Sequence, residues 1–348
     1  MNVESPSVKQ TDVLIVGAGI AGLMAATALQ DQGVRVIVLD KSRGVGGRLA
    51  TRRVGTAVLD HGAQYFTARH PAFQALVRQW EADGLVSCWF EKPGAIPLDQ
   101  DAADAGQAAS EPCYVVPGGM TRLAKALAEP LTVHLNQRAM LLQRHGEGYR
   151  IQTEAGVNYQ ADRVILTAPL PQSIALLESG AIDVAPELLE RLMGVTYDPC
   201  LALLAVLDRP PMLPAPGGFL PDSEIVGWVA DNHQKGVSPN GYGLTVQASP
   251  VYSTAHYQLS DAELADILMR EASPWLGDAV ILAWQMKRWT YALARNTLSE
   301  LFMQVNESPA LLLAGDAFGG PRVESAALSG LAAAQAVRMD CHPDSATL

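Results

Sequence analysis

The chain has 348 residues, of which 49% are apolar and 18% are charged, and its formal net charge at pH 7 is −11. This length suits one large domain or two intertwined ones, and so high an apolar content with so little charge excludes an intrinsically disordered chain. The acidic balance argues against a nucleic-acid partner, because no broad basic surface is left over for phosphates.

The cysteine pattern favours a reducing compartment. Cys88, Cys113, Cys200 and Cys341 lie far apart and form no C-x-x-C pair, which fits neither a zinc site nor a dense disulfide framework. The first residues lack the apolar stretch of a signal peptide, and no apolar run approaches the length of a membrane span. We therefore expect a cytoplasmic protein without a membrane partner.

The start of the chain predicts a β–α–β unit. Residues 12–16 form a short β-branched run that is typical of a buried parallel strand. A small-residue helix over 20–32 and a second buried strand over 34–39 follow. A connection of this kind is right-handed.

A glycine motif joins the first strand to the helix. It reads Gly17-Ala18-Gly19-Ile20-Ala21-Gly22, and Asp40 follows 18 residues after its last glycine. In this pattern the first glycine permits the tight turn, the second lets a pyrophosphate approach the backbone, and the third lets helix and strand pack closely. The helix N-terminus faces the phosphates, and the acid accepts hydrogen bonds from a ribose. The motif predicts dinucleotide binding, and its alternative is a glycine turn that serves packing alone.

A basic loop follows Asp40. Residues 41–53 carry five basic side chains and no acidic one. Adjacent glycines flanked by arginines fit a loop that binds phosphate, where guanidinium groups act in a bidentate way. The alternative is a solvated basic loop.

The middle of the chain predicts a different architecture. Residues 94–112 are polar, acidic and rich in small side chains, which indicates a surface excursion. Apolar strands return at 131–135 and 163–167. Between 199 and 251, apolar runs alternate with Pro/Gly turns, which predicts a mostly antiparallel sheet.

The end of the chain repeats the strand-to-helix pattern. Residues 310–314 predict an apolar strand, and 324–339 predict a helix of Ala, Gly, Ser and Leu. We expect the tail over 341–348 to be disordered. The chain thus begins and ends with units of nucleotide-binding character, and the material between them carries a substrate domain.

Together these pieces resemble the flavin-containing amine oxidase superfamily. Its second signature is a Gly-Gly-Arg loop after the ribose-binding acid, here Gly46-Gly47-Arg48, although Gly44 stands where arginine is usual. The resemblance implies that Asp316 binds the ribityl chain of FAD and that the final helix points its N-terminus at the flavin pyrimidine. Such an N-terminus stabilises the negative charge of a reduced flavin. The last motif has no cysteine, so the resemblance implies non-covalent FAD.

Two further segments, 117–120 and 164–169, support the match, and a third implies that adenine pairs with the backbone at Ala139. The residues that the resemblance assigns to FAD are Gly17, Ala18, Gly19, Ile20, Ala21, Gly22, Asp40, Lys41, Arg43, Gly47, Arg48, His61, Gly62, Ala63, Ala139, Thr167, Asp316, Val323, Glu324 and Ala326. Among them, His61 is expected to be a structural contact of FAD rather than a catalyst.

Within the superfamily, the chain is similar to the bacterial renalase family. Five segments carry this similarity, namely 41–53, 60–69, 228–232, 247–250 and 287–292. Arg322 aligns with an aromatic-cage position of the amine oxidases, where a guanidinium repels a cationic amine and suits a carboxamide, carbonyl or phosphate. The resemblance implies an FAD oxidase of 2-dihydro and 6-dihydro isomers of NAD(P)H, which returns NAD(P)⁺ and reduces O₂ to H₂O₂.

This chemistry needs little from the side chains. A dihydropyridine becomes aromatic by losing a hydride alone, so no general base is required, and the enzyme has to hold the ring about 3–3.5 Å from flavin N5. We accordingly predict no catalytic side chain and no metal site. The residues assigned to substrate binding are Gln64, Tyr65, Phe66, Thr67, Ala68, Asn232, Trp289 and Arg322. Trp228, Trp284 and Tyr291 are further candidates for ring stacking, with burial in the core as the alternative.

The predicted architecture is an α/β flavoprotein of two domains. The FAD domain is Rossmann-like and comprises residues 1–75, 114–172 and 300–348. The substrate domain comprises 76–113 and 173–299 and is built on a mostly antiparallel sheet. Two other functions stay open: a flavin amine oxidase or desaturase with an unusual pocket, and a non-catalytic dinucleotide sensor. A monooxygenase is a weaker variant.

Overall fold

Strands and helices alternate along most of the chain. The computed structural model describes residues 8–90 and 111–339, so residues 94–110 of the predicted excursion and the predicted tail lie outside the described residues. In chain order the elements are β1 Lys9–Val16, α1 Ile20–Gln30, β2 Val36–Leu39, β3 Thr51–Val54, β4 Ala57–Asp60, α2 Pro71–Ala82, β5 Ser87–Phe90, β6 Cys113–Val115, α3 Thr121–Ala128, β7 Val133–His134, β8 Ala139–His145, β9 Gly148–Thr153, β10 Asn158–Leu166, α4 Leu170–Ser179, α5 Pro186–Met193, β11 Thr196–Leu207, β12 Gly218–Phe219, β13 Val226–Asp231, β14 Tyr242–Ala248, α6 Pro250–Ala255, α7 Asp261–Leu276, β15 Ile281–Arg295, β16 Met303–Asn306, β17 Leu311–Leu313 and α8 Val323–Met339. Within the described ranges, no helix has the length and apolar character that a membrane span requires.

The first of two compact units is built on a largely parallel sheet. It draws on residues 1–47, 124–196 and 294–348. The strand order is β16-β17-β10-β1-β2-β7, with β9 and β8 branching from β10. β1 lies parallel to both β2 and β10, and β10 lies parallel to β17. β1 begins earlier than predicted because Lys9 already pairs with Tyr159 of β10.

Two helices of small residues pack closely in this unit. α1 and α8 share one apolar cluster with β1, β2 and β17, including Val13, Leu23 and Ala333. A Cβ atom at Gly330 of α8 would lie 2.0 Å from the carbonyl oxygen of Ala21 in α1. The small side chains therefore let the two helices approach each other against the sheet.

The second unit is built on an antiparallel sheet, as the turn pattern predicts. It draws on residues 48–123 and 197–293. The strand order is β12-β13-β14-β11-β15, and β14 is antiparallel to both β11 and β13. α7 covers one face, where Leu264 and Leu268 pack against Val229 and Val246.

The compact units differ from the predicted domains in two places. The first difference lies directly after the glycine loops. Residues 48–75 and 114–123 belong to the second unit, although the sequence grouped them with the cofactor domain. The reason is the β3–β4 hairpin, whose Ala57 and Leu59 are buried with Leu204 and Val206 of β11.

The second difference concerns residues 173–196 and 294–299, which belong to the first unit instead of the substrate domain. The close approach after α4 shows why, because a Cβ atom at Gly180 would lie 1.7 Å from the carbonyl oxygen of Leu142 in β8. The helices that follow β10 thus stay with the parallel sheet.

Candidate functional site

The glycine turn after β1 is shaped by Thr167. Gly17 has φ +116°, and a Cβ atom there would lie 2.5 Å from Thr167 Oγ1. This hydroxyl lies 3.1 Å from the carbonyl oxygens of both Val16 and Gly17. A Cβ atom at Gly22 would lie 1.9 Å from the Gly17 oxygen. Gly17 and Gly22 therefore have the turning and packing roles that the motif predicts, and Thr167 supports the turn from the end of β10.

The outer side of this turn has room for a ligand. No described atom lies within 4 Å of a Cβ placed at Gly19, and no described side chain caps the N-terminus of α1. The second glycine loop runs alongside, since Gly46 N–H donates to the Ala18 oxygen at 2.8 Å. Gly47 has φ +53° and faces the Gly19 backbone. Two glycine backbones and the N–H groups of a helix terminus together form a cradle of the kind that binds pyrophosphate.

Asp40 lies at the carboxyl end of β2, beside this cradle. Its Oδ2 accepts from Ala18 N–H at 2.8 Å, and its Oδ1 accepts from Ser42 N–H at 2.7 Å. Gln137 N–H donates to the backbone oxygen of Asp40 at 2.8 Å, which brings the segment before Ala139 alongside. Each carboxylate oxygen keeps a lone pair for a ribose hydroxyl.

Two basic side chains, Lys41 and Arg43, follow Asp40 in the chain. Lys41 Nζ donates to Gln172 Oε1 at 2.7 Å. Burial lowers the pKa of Lys41, the positive charge of Arg138 lowers it further, and Asp40 opposes both effects. Arg43 is exposed. Both side chains are thus exposed, and Lys41 is held by its bond to Gln172.

Asp316 follows the last strand of the same sheet. It is 8% exposed and comes directly after Gly315, which has φ +134°. Gly315 N–H donates to Ser329 Oγ at 2.7 Å, and Ala314 N–H donates to the Leu166 oxygen at 2.9 Å. These bonds tie the strand end to both α8 and β10, so the position of Asp316 is set by two elements.

The first turn of α8 holds three more predicted residues. Val323 is half-buried, whereas Glu324 and Ala326 are buried. Arg322 is half-buried and immediately precedes the helix. All of these residues, the glycine cradle and Asp40 belong to the first unit.

In the second unit, residues 61–63 lie against the start of the β3–β4 hairpin. His61 N–H donates to the Ala50 oxygen at 2.9 Å, and Ala63 N–H donates to the Arg48 oxygen at 2.9 Å. A Cβ atom at Gly62 would lie 1.9 Å from that Arg48 oxygen. Only glycine fits here, and the structure brings together four residues that the sequence assigns to FAD.

The ring of His61 is neutral and stacked. It lies 5.4 Å from the Trp289 ring at an interplanar angle of 23°, and Trp289 Nε1 donates to the His61 oxygen at 2.7 Å. Burial, with a smaller effect of the Lys287 charge, lowers the pKa of His61 to about 4. Its Nδ1 is buried and bonds to no described residue. With this pKa the ring does not act as a base at neutral pH.

The segment after His61 alternates between two environments. The side chains that point into the unit are Gln64, Phe66 and Ala68, each less than 9% exposed. Those that are partly exposed are Ala63, Tyr65 and Thr67. The amide of Gln64 is used internally, because Nε2 donates to the Asp60 oxygen at 2.8 Å. Of the five residues of this segment that were assigned to substrate, Tyr65 and Thr67 are therefore the partly exposed ones, and the role of all five stays a prediction.

Asn232 is also placed differently from its prediction. It is 0% exposed, and its Oδ1 accepts from Asp60 N–H at 3.1 Å. Its Nδ2 donates to Thr245 Oγ1 at 2.9 Å and to the Gly243 oxygen at 3.2 Å. An amide with these bonds holds β4 against β14, and its assignment to substrate binding stays a prediction that these contacts do not support.

The structure adds residues that sequence reasoning missed. The side chains of Asp60 and Lys235 are both 0% exposed and lie 3.7 Å apart, from Oδ2 to Nζ. Trp89 joins Tyr65 and Trp228 in an aromatic cluster, with ring centroids between 5.5 and 6.3 Å apart. The sequence could have pointed to Asp60, because it directly precedes His61, but no local pattern indicated a role for Lys235 or Trp89. Of the other ring candidates, Trp284 is 41% exposed.

Comparisons with known proteins agree with this geometry. The family model described as flavin containing amine oxidoreductase matches residues 102–338, and the model of an NAD(P)-binding Rossmann-like domain matches residues 15–80. Renalase of Mus musculus is 23% identical over 322 residues, covering 88% of this chain and 92% of that protein. Polyamine oxidase 4 of Oryza sativa subsp. japonica is 28% identical over 167 residues, covering 46% of this chain and 33% of that protein. A putrescine oxidase structure with putrescine bound has a TM-score of 0.72 at 18% identity, and the match covers 95% of this chain and 100% of that one.

The cofactor follows from the family and fits the residues. FAD needs a pyrophosphate cradle, a ribose acceptor and a helix N-terminus near a strand end, and the first unit supplies these in the glycine loops, Asp40 and the β17–α8 connection. The Rossmann-like sheet with its separate antiparallel sheet confirms the predicted fold class. By its matched length and its architecture, this chain belongs to the flavin-containing amine oxidoreductase family.

Proposed function

We propose that this protein oxidises the 2-dihydro and 6-dihydro isomers of NAD(P)H. One isomer, one O₂ and one proton are converted to NAD(P)⁺ and H₂O₂. The likeness to mouse renalase along nearly the whole chain supports this narrower assignment within the family. The proposed compartment is the cytoplasm, because the spacing of the cysteines favours a reducing environment.

The proposal rests on the chemistry of the partly exposed side chains in residues 61–67. Their side chains that are not buried are those of His61, Ala63, Tyr65 and Thr67. The pKa of His61, about 4, leaves its ring neutral at pH 7, so this surface offers rings and hydroxyls without an ionised group. A cationic amine binds best where a carboxylate pairs with it, and none lies in this segment, whereas a neutral dihydropyridine needs stacking and hydrogen bonds to its carboxamide.

The residues have positioning roles in this reaction. FAD, when bound, supplies the hydride acceptor at N5 and passes the electrons to O₂. We assign the ring of the substrate to Tyr65 and Trp289, and its carboxamide to Thr67, all of the second unit. The assignment of Arg322 to substrate binding stays a separate prediction. Since hydride loss alone makes the substrate ring aromatic, no side chain has to remove a proton.

An anaerobic mixing experiment tests the proposal. The purified yellow protein is mixed with pure 4-dihydro NADH or with a preparation that contains the 2- and 6-dihydro isomers, and the blue absorption band of the flavin is followed. We expect rapid bleaching by the isomers alone. Bleaching by neither reductant would contradict the proposal while leaving the flavin fold intact.

Amine oxidation is the second candidate, because the family match and the putrescine oxidase structure both favour it. A panel of primary amines and polyamines in the same anaerobic assay separates the two functions. Bleaching by an amine and not by the isomers would establish this alternative. A flavin that none of these compounds reduces would favour the non-catalytic dinucleotide sensor.

A further inference from the structure

A buried ion pair of the second unit contacts the segment 61–67, which the proposed function assigns to the substrate. Lys235 Nζ lies 3.7 Å from Asp60 Oδ2, and neither side chain is exposed. Asp60 Oδ1 accepts from Thr51 Oγ1 at 2.6 Å and from Met120 N–H at 2.9 Å. Burial lowers the pKa of Lys235 to about 8 and raises that of Asp60.

Stability alone is a weak explanation for such a pair. Removing two charges from water costs several kcal/mol per ion, and an apolar pair of similar volume often gives an equally stable fold. The separation of 3.7 Å is also longer than a hydrogen bond. The other contacts of Lys235 therefore indicate what its charge does.

The first contact is with Gln64. Lys235 Nζ donates to Gln64 Oε1 at 3.2 Å, while Gln64 Nε2 faces the backbone oxygens of Asp60 and Gly62 at 2.8 and 3.3 Å. The ammonium group can only donate and carbonyl oxygens can only accept, so the amide has one satisfied orientation. Gln64 thus bridges the ion pair to the segment that carries Tyr65.

The second contact is with the aromatic cluster. Lys235 Nζ lies 5.4 Å from the centroid of the Trp89 ring, a distance at which a cation is attracted to an aromatic face. Trp89 lies 6.2 Å from Tyr65, and Tyr65 lies 5.5 Å from Trp228. The ammonium group is therefore linked to Tyr65 by two routes, one through Gln64, its neighbour in the chain, and one through the Trp89 ring.

We propose that Lys235 is a positioning residue that sets the orientation of Tyr65 toward the substrate ring through Gln64 and Trp89. This inference rests on the proposed function only in taking Tyr65 as a substrate contact. It concerns the charged form of Lys235, because a neutral side chain of the same length neither donates strongly to the amide nor attracts the Trp89 face.

A double-mutant cycle tests the proposal. The variants are Lys235→Met, Gln64→Leu and their combination, with exposed Lys125→Met as the matched control. We expect Lys235→Met to raise KM for the 2- and 6-dihydro isomers about three- to tenfold with little change in kcat, and Gln64→Leu to raise it by less because the Trp89 contact remains. The combination should have no larger effect than Lys235→Met alone. An unchanged KM, or effects that multiply, would overturn the inference.

A variant without a lone buried charge guards against misfolding. Lys235→Met leaves Asp60 without its counter-charge, which strongly destabilises a buried site. The pair Lys235→Met with Asp60→Asn removes both charges. A positioning role predicts that KM stays raised in this folded pair. Recovery of the wild-type KM would show that only charge balance mattered.

The near-ultraviolet circular dichroism of the coupled rings gives a readout without substrate. Lys235→Met and Gln64→Leu should change this spectrum in the same way, while Lys125→Met leaves it as in the wild type. A spectrum that Lys235→Met does not alter overturns the inference. If the wild-type flavin is reduced by neither isomer, the proposed function fails, and this spectrum still shows whether Lys235 sets the arrangement of the coupled rings.

Discussion

At the scale of single residues, burial sets the charge of His61. The ring stacks on Trp289 and its Nδ1 is enclosed, which lowers the pKa from the ordinary value of 6.5 to about 4. A histidine that looks like a catalyst in the sequence is therefore uncharged at neutral pH. This suits a residue that contacts a cofactor rather than one that shuttles protons.

The depressed pKa of His61 predicts acid sensitivity. Between pH 6.5 and 4 the unfolded chain binds a proton that the folded chain does not, so the free energy of unfolding falls as the pH drops through this window. His61→Phe keeps a ring and removes the titration, so relative to this variant the wild type should lose up to about 3 kcal/mol. Urea unfolding at several pH values measures this difference, with exposed His145→Phe as the control. Parallel stability curves for wild type and His61→Phe would contradict the assignment.

Asp40 gives a second test at this scale. Asp40→Ala removes the acceptor for Ala18 N–H and for a ribose hydroxyl, and hydrogen bonds to a charged group contribute about 1.5–3 kcal/mol. The dissociation constant for FAD should rise about ten- to a hundredfold, as measured by flavin fluorescence during titration of the apoprotein. Exposed Asp31→Ala should leave it unchanged. Equal affinities for Asp40→Ala and wild type would remove Asp40 from the ribose site.

At the scale of elements, the contact between α1 and α8 joins the two ends of the chain. Gly330 allows the close approach because a Cβ atom there would lie 2.0 Å from the Ala21 oxygen. The same helices begin at the glycine cradle and after Asp316. The spacing between two parts of the cofactor site therefore depends on one small residue in a helix interior.

Gly330→Val tests this dependence. The added side chain forces the helices apart, and overpacking of this kind costs about 1–3 kcal/mol or more. We expect a lower thermal midpoint together with loss of bound FAD, read from the flavin absorbance of the purified protein. Gln335→Ala, on the exposed side of α8, is the matched control. Full FAD content in a stable Gly330→Val protein would show that the helix contact is not limiting.

At the scale of the whole molecule, the cofactor cradle and the antiparallel sheet belong to different compact units. The glycine turns, Asp40 and Asp316 lie in the first unit, and residues 61–67 lie in the second. A ligand that binds the folded state stabilises it by an amount set by its concentration relative to its dissociation constant, about 2.7 kcal/mol at a hundredfold excess. Removal of FAD should therefore affect the first unit more than the second.

Hydrogen exchange measures this difference. After removal of FAD, amides of β1, α1 and α8 should exchange faster, while those of β13 and β14 should change less. Re-addition of FAD serves as the control, because it should restore protection. An equal loss of protection in both sets of elements would contradict the assignment of most cofactor contacts to the first unit.

The sequence by itself determined the strands and helices at the centre of the cofactor domain, because its signals are local. The glycine spacing, the acid after β2 and the small-residue helices each follow from nearby backbone requirements, and the described structure has β1, α1, β2, β17 and α8 close to their predicted positions. The antiparallel sheet was predictable for the same reason, since turn residues punctuate its strands.

Only the tertiary structure decided which of the predicted substrate-binding side chains are accessible. Gln64 and Asn232 are polar and were assigned to substrate, yet contacts with Asp60, Lys235 and Thr245 bury them. Those partners are distant in sequence, with Gln64 and Lys235 separated by 171 positions. No local pattern reports such pairings, because the burial of a polar group depends on the partners that the fold brings to it.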